Sequence, residues 1–374
     1  MIGLYIHVPF CRSRCHFCAF YLQIYREDRA QDYLAALFQE IRLHAGQQTL
    51  SGRRLDTVYF GGGTPTALQP SELCGILSCV QANFGLQPHA EITVEAHPDT
   101  VTADGLAQLA KTGFNRISFG VQSLDENELV TIGRPFLPER AYGAVALARQ
   151  AGFTNINLDF IFGLPGQTLE SWHSTLDQAI ALDPNHLSCY ALTVEEGTRL
   201  IVDIRRGDRT KPEDLLQNTM EEEAFRELSA VGFDRYEISN YCRPGYACRH
   251  NKLYWEGGDY LGIGPSAQSY VGGNRFGDVE DLHAYQNMLA IGRLPTSDSE
   301  RLSPEQQRRE AIVFGLRLTE GVPSESVHGH EMDAEWKAKM VQLLNEGWLE
   351  ETEGRIRMTP AGRRFADSVA VDLL

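Results

Sequence analysis

The feature that most constrains this chain is a recurrence. Six short β-prone runs, at 4–8, 57–60, 91–95, 116–121, 155–161 and 187–193, alternate with stretches whose apolar residues fall at helical spacing. The helical stretches cover 28–44, a segment starting at Ser71, 103–111, 141–150 and 169–181. In the first, Tyr33, Leu34, Leu37, Phe38 and Ile41 share a face, and Ser71-Glu72 supplies cap chemistry for the second. Strand–helix alternation builds a parallel sheet with helices outside it. Six such units give an α/β fold class, a partial TIM-type (β/α)6 barrel. No Gly-x-Gly-x-x-Gly follows a strand, which weighs against a dinucleotide-binding fold.

The second half changes character. Residues 199–228 are charged and helical, 235–239 read as another strand, and 242–273 are dense in glycine, aromatics and turn residues, an ordered but largely irregular segment. From Ser303 the order is helix (304–316), helix (334–346) and a short hairpin (348–351 with 355–358), and Thr359-Pro360 opens a last helix. Helix, helix, hairpin is the outline of a winged-helix unit, here not conspicuously basic. Three domains are expected: a barrel core over 1–200, an extension over 201–300 that completes and covers it, and a C-terminal winged-helix-like unit over 301–374.

Directly after the first strand comes Cys11-Arg12-Ser13-Arg14-Cys15-His16-Phe17-Cys18, a C-x3-C-x2-C triplet. A single loop can aim three thiols this close at one point. Four thiolates would close a tetrahedral zinc site or serve every iron of a cubane cluster; three leave one position open. On spacing alone three readings stand: a structural zinc completed by His7 or His16, a cubane cluster with one open iron, or no metal. Phe20 occupies the position where a further nearby thiol would stand. Cys74, Cys79 and Cys189 fall in apolar patterns and read as core. Cys242 and Cys248, on either side of Pro244-Gly245, leave a fourth ligand open.

Composition narrows the class. Of 374 residues, 43% are hydrophobic and 22% charged, as in a globular protein. No apolar run approaches the ~20 residues of a membrane span. The N-terminus opens at once on a strand and the cysteine loop, which leaves no room for a signal peptide, so the cytoplasm is the expected compartment. A formal net charge of −16 argues against a nucleic-acid partner. It leaves open an anionic small molecule held by a local basic patch.

In a parallel barrel, ligands sit at the C-terminal ends of the strands, and the polar and glycine signals collect there. The triplet follows strand one and Gly61-Gly62-Gly63-Thr64-Pro65 follows strand two. Glu95 closes strand three, Gln122 and Ser123 follow strand four, and Asp159 lies in strand five. The glycines let backbone approach a ligand, with amides that can bind a carboxylate; taken alone they are a tight turn before a helix. Glu95 suits an amine or ribose, against a plain exposed strand end. Gln122 and Asp159, polar among apolar neighbours, seek partners in the barrel mouth or a neighbouring loop. Arg134 suits a carboxylate, against an exposed loop arginine.

Together these motifs resemble the radical S-adenosylmethionine superfamily, and within it the branch of oxygen-independent coproporphyrinogen III oxidase and the HemW-type heme chaperones. The resemblance rests on Tyr5-Ile6-His7-Val8-Pro9-Phe10 leading into the triplet and on the Gly-Gly-Gly-Thr-Pro segment. Gly120-Val121-Gln122-Ser123, Asn155-Ile156-Asn157-Leu158-Asp159, Gly163-Leu164-Pro165-Gly166-Gln167 and Tyr236-Glu237-Ile238-Ser239-Asn240 extend it along nearly the whole chain. It implies that Cys11, Cys15 and Cys18 hold a [4Fe-4S] cluster whose open iron chelates S-adenosylmethionine, which an electron from the cluster can cleave to a 5′-deoxyadenosyl radical. It places Tyr5, Gly62 and Glu95 against one S-adenosylmethionine. Phe17, Gly63, Thr64, Gln122, Arg134 and Asp159 would line an adjacent cofactor or substrate space, which holds a second S-adenosylmethionine in the oxidase branch.

Two features favour the chaperone side. Phe20 stands where the oxidase has a further cysteine, and His250-Asn251-Lys252-Leu253-Tyr254-Trp255 is similar to the chaperones' His-Asn-x-x-Tyr-Trp motif. Heme needs an axial ligand. His250 is the candidate, His7 and His16 are alternatives, and a buried structural histidine beside aromatics is the plain reading of the same segment. Gln268 and Phe136 stand where the family often places histidines. The resemblance implies heme as ligand, with heme-accepting apoproteins and an electron donor as partners; it leaves a homo-oligomer open and assigns no catalytic residue. The other readings are a porphyrinogen decarboxylase, a methyltransferase of the same branch, and a zinc-stabilised binding module.

Overall fold

The computed structural model describes residues 1–374 apart from 48, 51, 135 and 329–331. Its spine is six parallel strands: β1 (Ile2–Val8), β2 (Leu55–Gly62), β3 (Leu86–Ala96), β4 (Arg116–Gln122), β5 (Asn155–Phe162) and β6 (His186–Ala191). Helices α1 (Glu27–Gly46), α2 (Pro70–Phe84), α3 (Ala103–Thr112), α4 (Pro138–Gln150) and α5 (Leu169–Ala181) fill the connections. The expected alternation is therefore present. The cap of α2 differs in detail: the helix begins at Pro70, Gln69 is its N-cap, and Glu72 accepts from the Gln69 amide at 2.7 Å while Ser71 lies within the first turn.

Successive side chains of a strand point to opposite faces. Leu4 and Ile6 of β1, Val58 and Phe60 of β2, and Ile117 and Phe119 of β4 join one apolar cluster with Tyr33, Leu37, Ile76, Leu106 and Trp172 of the helices. Burying each such side chain contributes roughly 2 kcal/mol. The alternate positions carry the polar set. Tyr5 pairs in register with Tyr59, and Glu95 with Ser118, Asn157 and His186 across three strand pairs. The lumen is thus lined with polar side chains, and the helices cover an apolar exterior.

Residues 199–228 form two helices, α6 (Arg199–Arg205) and α7 (Asp214–Ala230). Two other expectations fail in the extension. Residues 235–239 are not one strand: β7 (Asp234–Arg235) and β8 (Asn240–Cys242) pair antiparallel, and the Glu237 carboxylate between them accepts from the Ser239 amide at 2.9 Å and from Asn240 Nδ2. A side chain that bonds its own backbone two residues on closes a turn and breaks the strand. Nor are residues 242–273 largely irregular. They hold α8 (Arg249–Trp255), β9 (Asp259–Ile263) and β10 (Gln268–Val271). Strand β9 adds parallel to β1, and β11 (Asn274–Asp278) and β12 (Thr296–Arg301) follow, giving a twelve-stranded sheet of order β12-β11-β10-β9-β1-β2-β3-β4-β5-β6-β8-β7. Glycine here marks contact between strands: a Cβ on Gly262 would meet the Gln268 carbonyl oxygen at 2.2 Å.

At the C-terminus, α10 (Pro304–Gly315), α11 (Ala334–Asn345) and a three-stranded sheet of Val322–Pro323, Leu349–Thr352 and Arg355–Met358 follow a shorter α9 (Leu282–Ala290). Ile312, Trp336, Met340, Leu343, Ile356 and Val369 make a second apolar cluster, separate from that of the barrel. Among the described residues no helix is long and apolar enough to cross a membrane.

One polar knot ties α1 to the extension. Glu40, fully buried, accepts from the Gly264 amide and the Tyr285 hydroxyl, and is hydrogen-bonded to Asp278 of β11. Burial raises both carboxyls, and the Glu40 charge adds to the rise at Asp278. Two carboxylate oxygens attract only with a proton between them. A carboxyl whose folded pKa lies above its unfolded one keeps a proton that the unfolded chain releases above about pH 4. Stability therefore falls as pH climbs from there toward the folded pKa. For Asp278→Asn we expect the Tm to drop less than that of the parent protein between about pH 6 and about pH 9. Thermal denaturation followed by circular dichroism measures this, and equal slopes would show that the carboxyls do not share a proton.

Candidate functional site

β1 ends at Val8 and the chain turns into the thiol loop. All eight cysteines are free; Cys11 is buried, and Cys15 and Cys18 are half-buried. Cys11 Sγ lies 3.4 Å from Thr64 Oγ1, and Arg134 Nη1 donates to Cys15 Sγ at 3.4 Å. Burial pushes the Cys11 thiol up to about 11 and raises Cys18 as well; a bound cation acts in the opposite sense by stabilising thiolate. His16 does not complete the set. Its Nδ1 lies 3.2 Å from the Thr131 carbonyl, and its ring fills the space beside Gly133.

Part of the triple-glycine turn is used within the chain itself. Gly63 N–H donates to the Val8 carbonyl at 2.8 Å and Thr64 N–H to that of Phe10 at 2.7 Å. Those amides are not free for a ligand carboxylate; they bind the root of the thiol loop to the end of β2. The approach is close enough that a Cβ on Gly63 would lie 2.7 Å from the Phe10 carbonyl oxygen. At Gly62, with φ +106, it would lie 2.7 Å from the His7 ring.

Across the rim, Tyr59 Oη donates to Glu95 Oε1 at 2.8 Å, and Tyr5 stacks on Tyr59 with centroids 6.2 Å apart. Glu95 keeps part of its surface open to the mouth of the barrel yet sits deep in it. That depth pushes its carboxyl up to about 7, and the charge of Asp159 adds to the rise. Asp159 accepts from Ser118 Oγ at 2.9 Å and from Asn157 Nδ2 at 2.8 Å. Gln122 adopts φ +73 beside a register shift in β4, a strained position for a non-glycine that costs about 1 kcal/mol. Its side chain and that of Arg134 converge over Gly120. Arg134 is buried, donates to the Gly120 carbonyl as well as to Cys15, and leaves Nε without a partner. Phe17 is half-buried against the apolar core. Of the rim residues expected from the sequence, Tyr5, Gly62 and Glu95 line one cavity, Thr64 and Arg134 touch the thiol loop, Gln122 lies beside Arg134, and Phe17 packs on the core.

His250 is placed elsewhere. Segment α8 enters the lumen below the rim, where a Cβ on Gly3 of β1 would meet Leu253 at 2.5 Å and His250 at 3.0 Å. The His250 ring is 1% exposed, with Nδ1 2.7 Å from Thr57 Oγ1 and Nε2 2.8 Å from Tyr254 Oη. Burial, with the charge of Arg116 adding, drops its pKa to about 3. Both ring nitrogens are engaged, and Tyr254 stands between the ring and the open space.

That space is a cavity of about 650 Å³, lined by Tyr5, His7, Gly62 and Glu95 of the rim, Phe20 and Tyr21 of the thiol loop, Tyr254, Trp255, Tyr260 and Tyr270 of the extension, and Phe314 of α10. Volumes of this size hold cofactor-sized ligands. A more polar cleft of about 460 Å³ lies at Leu137, Tyr142 and Ser171, away from the thiols and with a single aromatic in its lining. His7, buried and neutral with its pKa lowered to about 4 by that burial, is the histidine of the large cavity. Sequence reasoning missed Tyr59, Tyr260 and Tyr270. The two on the extension sit in a segment whose glycines read as loop; Tyr59 was visible as a lumen position once its strand partner Tyr5 was known.

The comparisons agree with this arrangement. The Radical SAM superfamily model matches residues 5–179, and the HemN C-terminal domain model matches 302–365. The heme chaperone HemW of Mycobacterium tuberculosis is 37% identical over 375 residues, covering 100% of this chain and 94% of that protein. The heme chaperone HemW of Escherichia coli strain K12 is 39% identical over 376 residues, covering 98% and 97%. Among solved structures, coproporphyrinogen III oxidase (HemN) from Escherichia coli, a radical SAM enzyme, superposes with a TM-score of 0.84 at 26% identity, covering 100% of this chain and 89% of that one. A three-thiol loop on a parallel partial barrel, together with these matches, makes the chain a radical SAM protein. Within that superfamily the chain belongs to the HemW heme chaperone family.

The close approach at Gly63 generates a prediction. Gly63→Ala forces Cβ against backbone, which a rotamer change cannot relieve, and overpacking of this kind costs about 1–3 kcal/mol. A fall in Tm together with lower iron content after anaerobic reconstitution is expected. An unchanged iron content would show that the loop root tolerates displacement.

Proposed function

We propose that this chain is a heme chaperone that binds heme in the aromatic cavity, carries a [4Fe-4S] cluster on Cys11, Cys15 and Cys18 with S-adenosylmethionine at its open iron, and passes heme to acceptor apoproteins. The observation that carries the reading is adjacency: a large aromatic cavity opens beside the thiol loop across Tyr5, His7 and Gly62. Full-length similarity to proteins named heme chaperones supports it. Phe20, 69% exposed at the cavity edge, supplies an apolar contact where the oxidase type has a cysteine.

The donor set fits the cluster: three thiols, a hydroxyl on Cys11, and a buried cation on Cys15. When bound, that group supplies one-electron chemistry. The chain's own residues position it. Arg134 stabilises negative charge at the Cys15 sulfur, and Thr64 does so at Cys11. Tyr5, Gly62 and Glu95 would contact S-adenosylmethionine, and Phe17, Gly63, Thr64, Gln122, Arg134 and Asp159 would border the space beside it. Eight free cysteines fit a reducing compartment, the cytoplasm, where an electron donor would serve the cluster. For the heme iron, His7 is better placed than His250, because it faces the cavity and its ring is held only by contacts of 3.3 and 3.5 Å.

Two experiments test this. Changing Cys11, Cys15 or Cys18 to Ser is expected to remove the absorption near ~400 nm that Cys-ligated clusters give, while Cys74→Ser keeps it; loss in Cys74→Ser with a normal fold would show the ligands to be misassigned. Anaerobic heme titration, with coproporphyrinogen turnover assayed on the same sample, is expected to give stoichiometric binding without release of carbon dioxide. His7→Ala should shift the heme absorption band and His250→Gln should not. The structural likeness to the oxidase supports a second reading, porphyrinogen decarboxylation; turnover without stable heme binding would put it first.

A further inference from the structure

One wall of the cavity has a chemistry that its aromatics do not explain. Tyr260 on β9, Tyr270 on β10 and Arg275 on β11 are successive cross-strand partners, so their side chains share one face of the sheet. Tyr254 stands edge-on to Tyr260 with centroids 4.6 Å apart, and Tyr260 and Tyr270 are 6.4 Å apart. The row of rings ends in a guanidinium. Among the described residues lining the cavity, Arg275 is the only arginine or lysine, in a chain of formal net charge −16. Its Nη2 is paired with Oε2 of Glu310 on α10. The Arg275 side chain is 38% exposed and that of Glu310 15%, and Glu300, opposite Arg275 on β12, is exposed. The Arg275–Glu310 pair therefore ties the sheet extension to the C-terminal unit at the lip of the cavity.

A lone cation at the end of an aromatic wall matches a flat apolar ligand with a carboxylate on its edge. Resting on the heme reading above, we propose that Arg275 anchors a propionate of the bound porphyrin, and that Glu310 holds this guanidinium until the propionate displaces it. Two carboxylates then compete for one fork of donors. Ligand uptake exchanges an intramolecular partner for an intermolecular one and leaves Glu310, which water reaches poorly, without its cation. The same exchange undoes a tie between α10 and the sheet, so occupancy of the cavity is felt by the C-terminal unit.

The test is an anaerobic absorption titration of the parent protein, Arg275→Gln and Glu310→Gln with Fe(III) protoporphyrin IX and with its dimethyl ester, which lacks the free carboxylates. Arg275→Gln is expected to weaken heme binding about tenfold, and Glu310→Gln to tighten it about threefold, for a charge-assisted pair that is partly open to water. Neither variant should change affinity for the ester. Both substitutions break the same ion pair, so a merely structural tie makes the two variants behave alike, and alike toward both ligands; that result overturns the proposal. Equal affinity of the parent protein for heme and ester overturns the carboxylate anchor and leaves the heme reading intact. A parent protein that takes up neither ligand overturns both.

Discussion

Arg116 lies in the middle of the barrel with 1% of its surface exposed. Burial alone would lower its pKa, but the negative charge of Glu91 opposes that and the guanidinium stays charged. Glu91 is shared: the same carboxylate accepts from Cys248 Sγ at 3.5 Å and from the amides of Arg249 and His250 at 3.1 Å. A buried anion on β3 thus fixes the start of α8, with the charge of Arg116 on β4 acting on it through the lumen. The position of His250 and Tyr254 under the rim follows from these hydrogen bonds together with the packing of Leu253 and the stacking of His250 on Tyr59.

The same logic extends across the lumen. Asn157 Nδ2 donates to Ser118 Oγ at 2.7 Å and its Oδ1 lies 2.6 Å from His186 Nδ1, while His186 Nε2 lies 2.9 Å from Tyr236 Oη. A satisfied polar network in a low-dielectric interior is rigid, because each group has a fixed partner. Asp159 is a member of that network, so its place at the barrel mouth is set from below. The thiol loop is fixed from the side, by the Gly63 and Thr64 amides on the carbonyls of Val8 and Phe10. The rim is held by backbone contacts too close for any side chain and by a lumen with little freedom to rearrange.

Much of this was legible in the sequence, and the reason differs between regions. The six strands and their helices were visible because each has a strong period, and because two of the strand ends carry distinctive residues, the thiols and the glycines. What the glycines do was not visible. Gly63 occupies a position where a backbone crosses another backbone, and a sequence shows a glycine without showing what approaches it. The extension was misread for a related cause: β9 and β10 are short, hold Gly262, and pair with partners distant along the chain, so their text resembles loop. His250 shows the limit of motif reading. A histidine beside a tyrosine and a tryptophan is consistent with a ligand or with a core residue, and only the partners of its two nitrogens, Thr57 and Tyr254, distinguish the cases.

The location of the cavity bears on what a carrier must do. A ligand inside the lumen could leave only by disrupting the hydrogen bonds around Asn157 and Glu91, where each lost partner is costly. The cavity instead lies where three parts of the chain meet: the barrel rim, the strands β9 to β11, and α10. Its lining there is rich in aromatic surface, which is non-directional in its hold, and α10 belongs to the second apolar cluster through Ile312 and Val313. Opening such a boundary separates surfaces without leaving the lumen's polar groups unpaired. An enzyme that must enclose a reacting substrate gains from the rigid lumen. A protein that must give its ligand away gains from the seam beside it, and this chain has the large aromatic cavity at the seam.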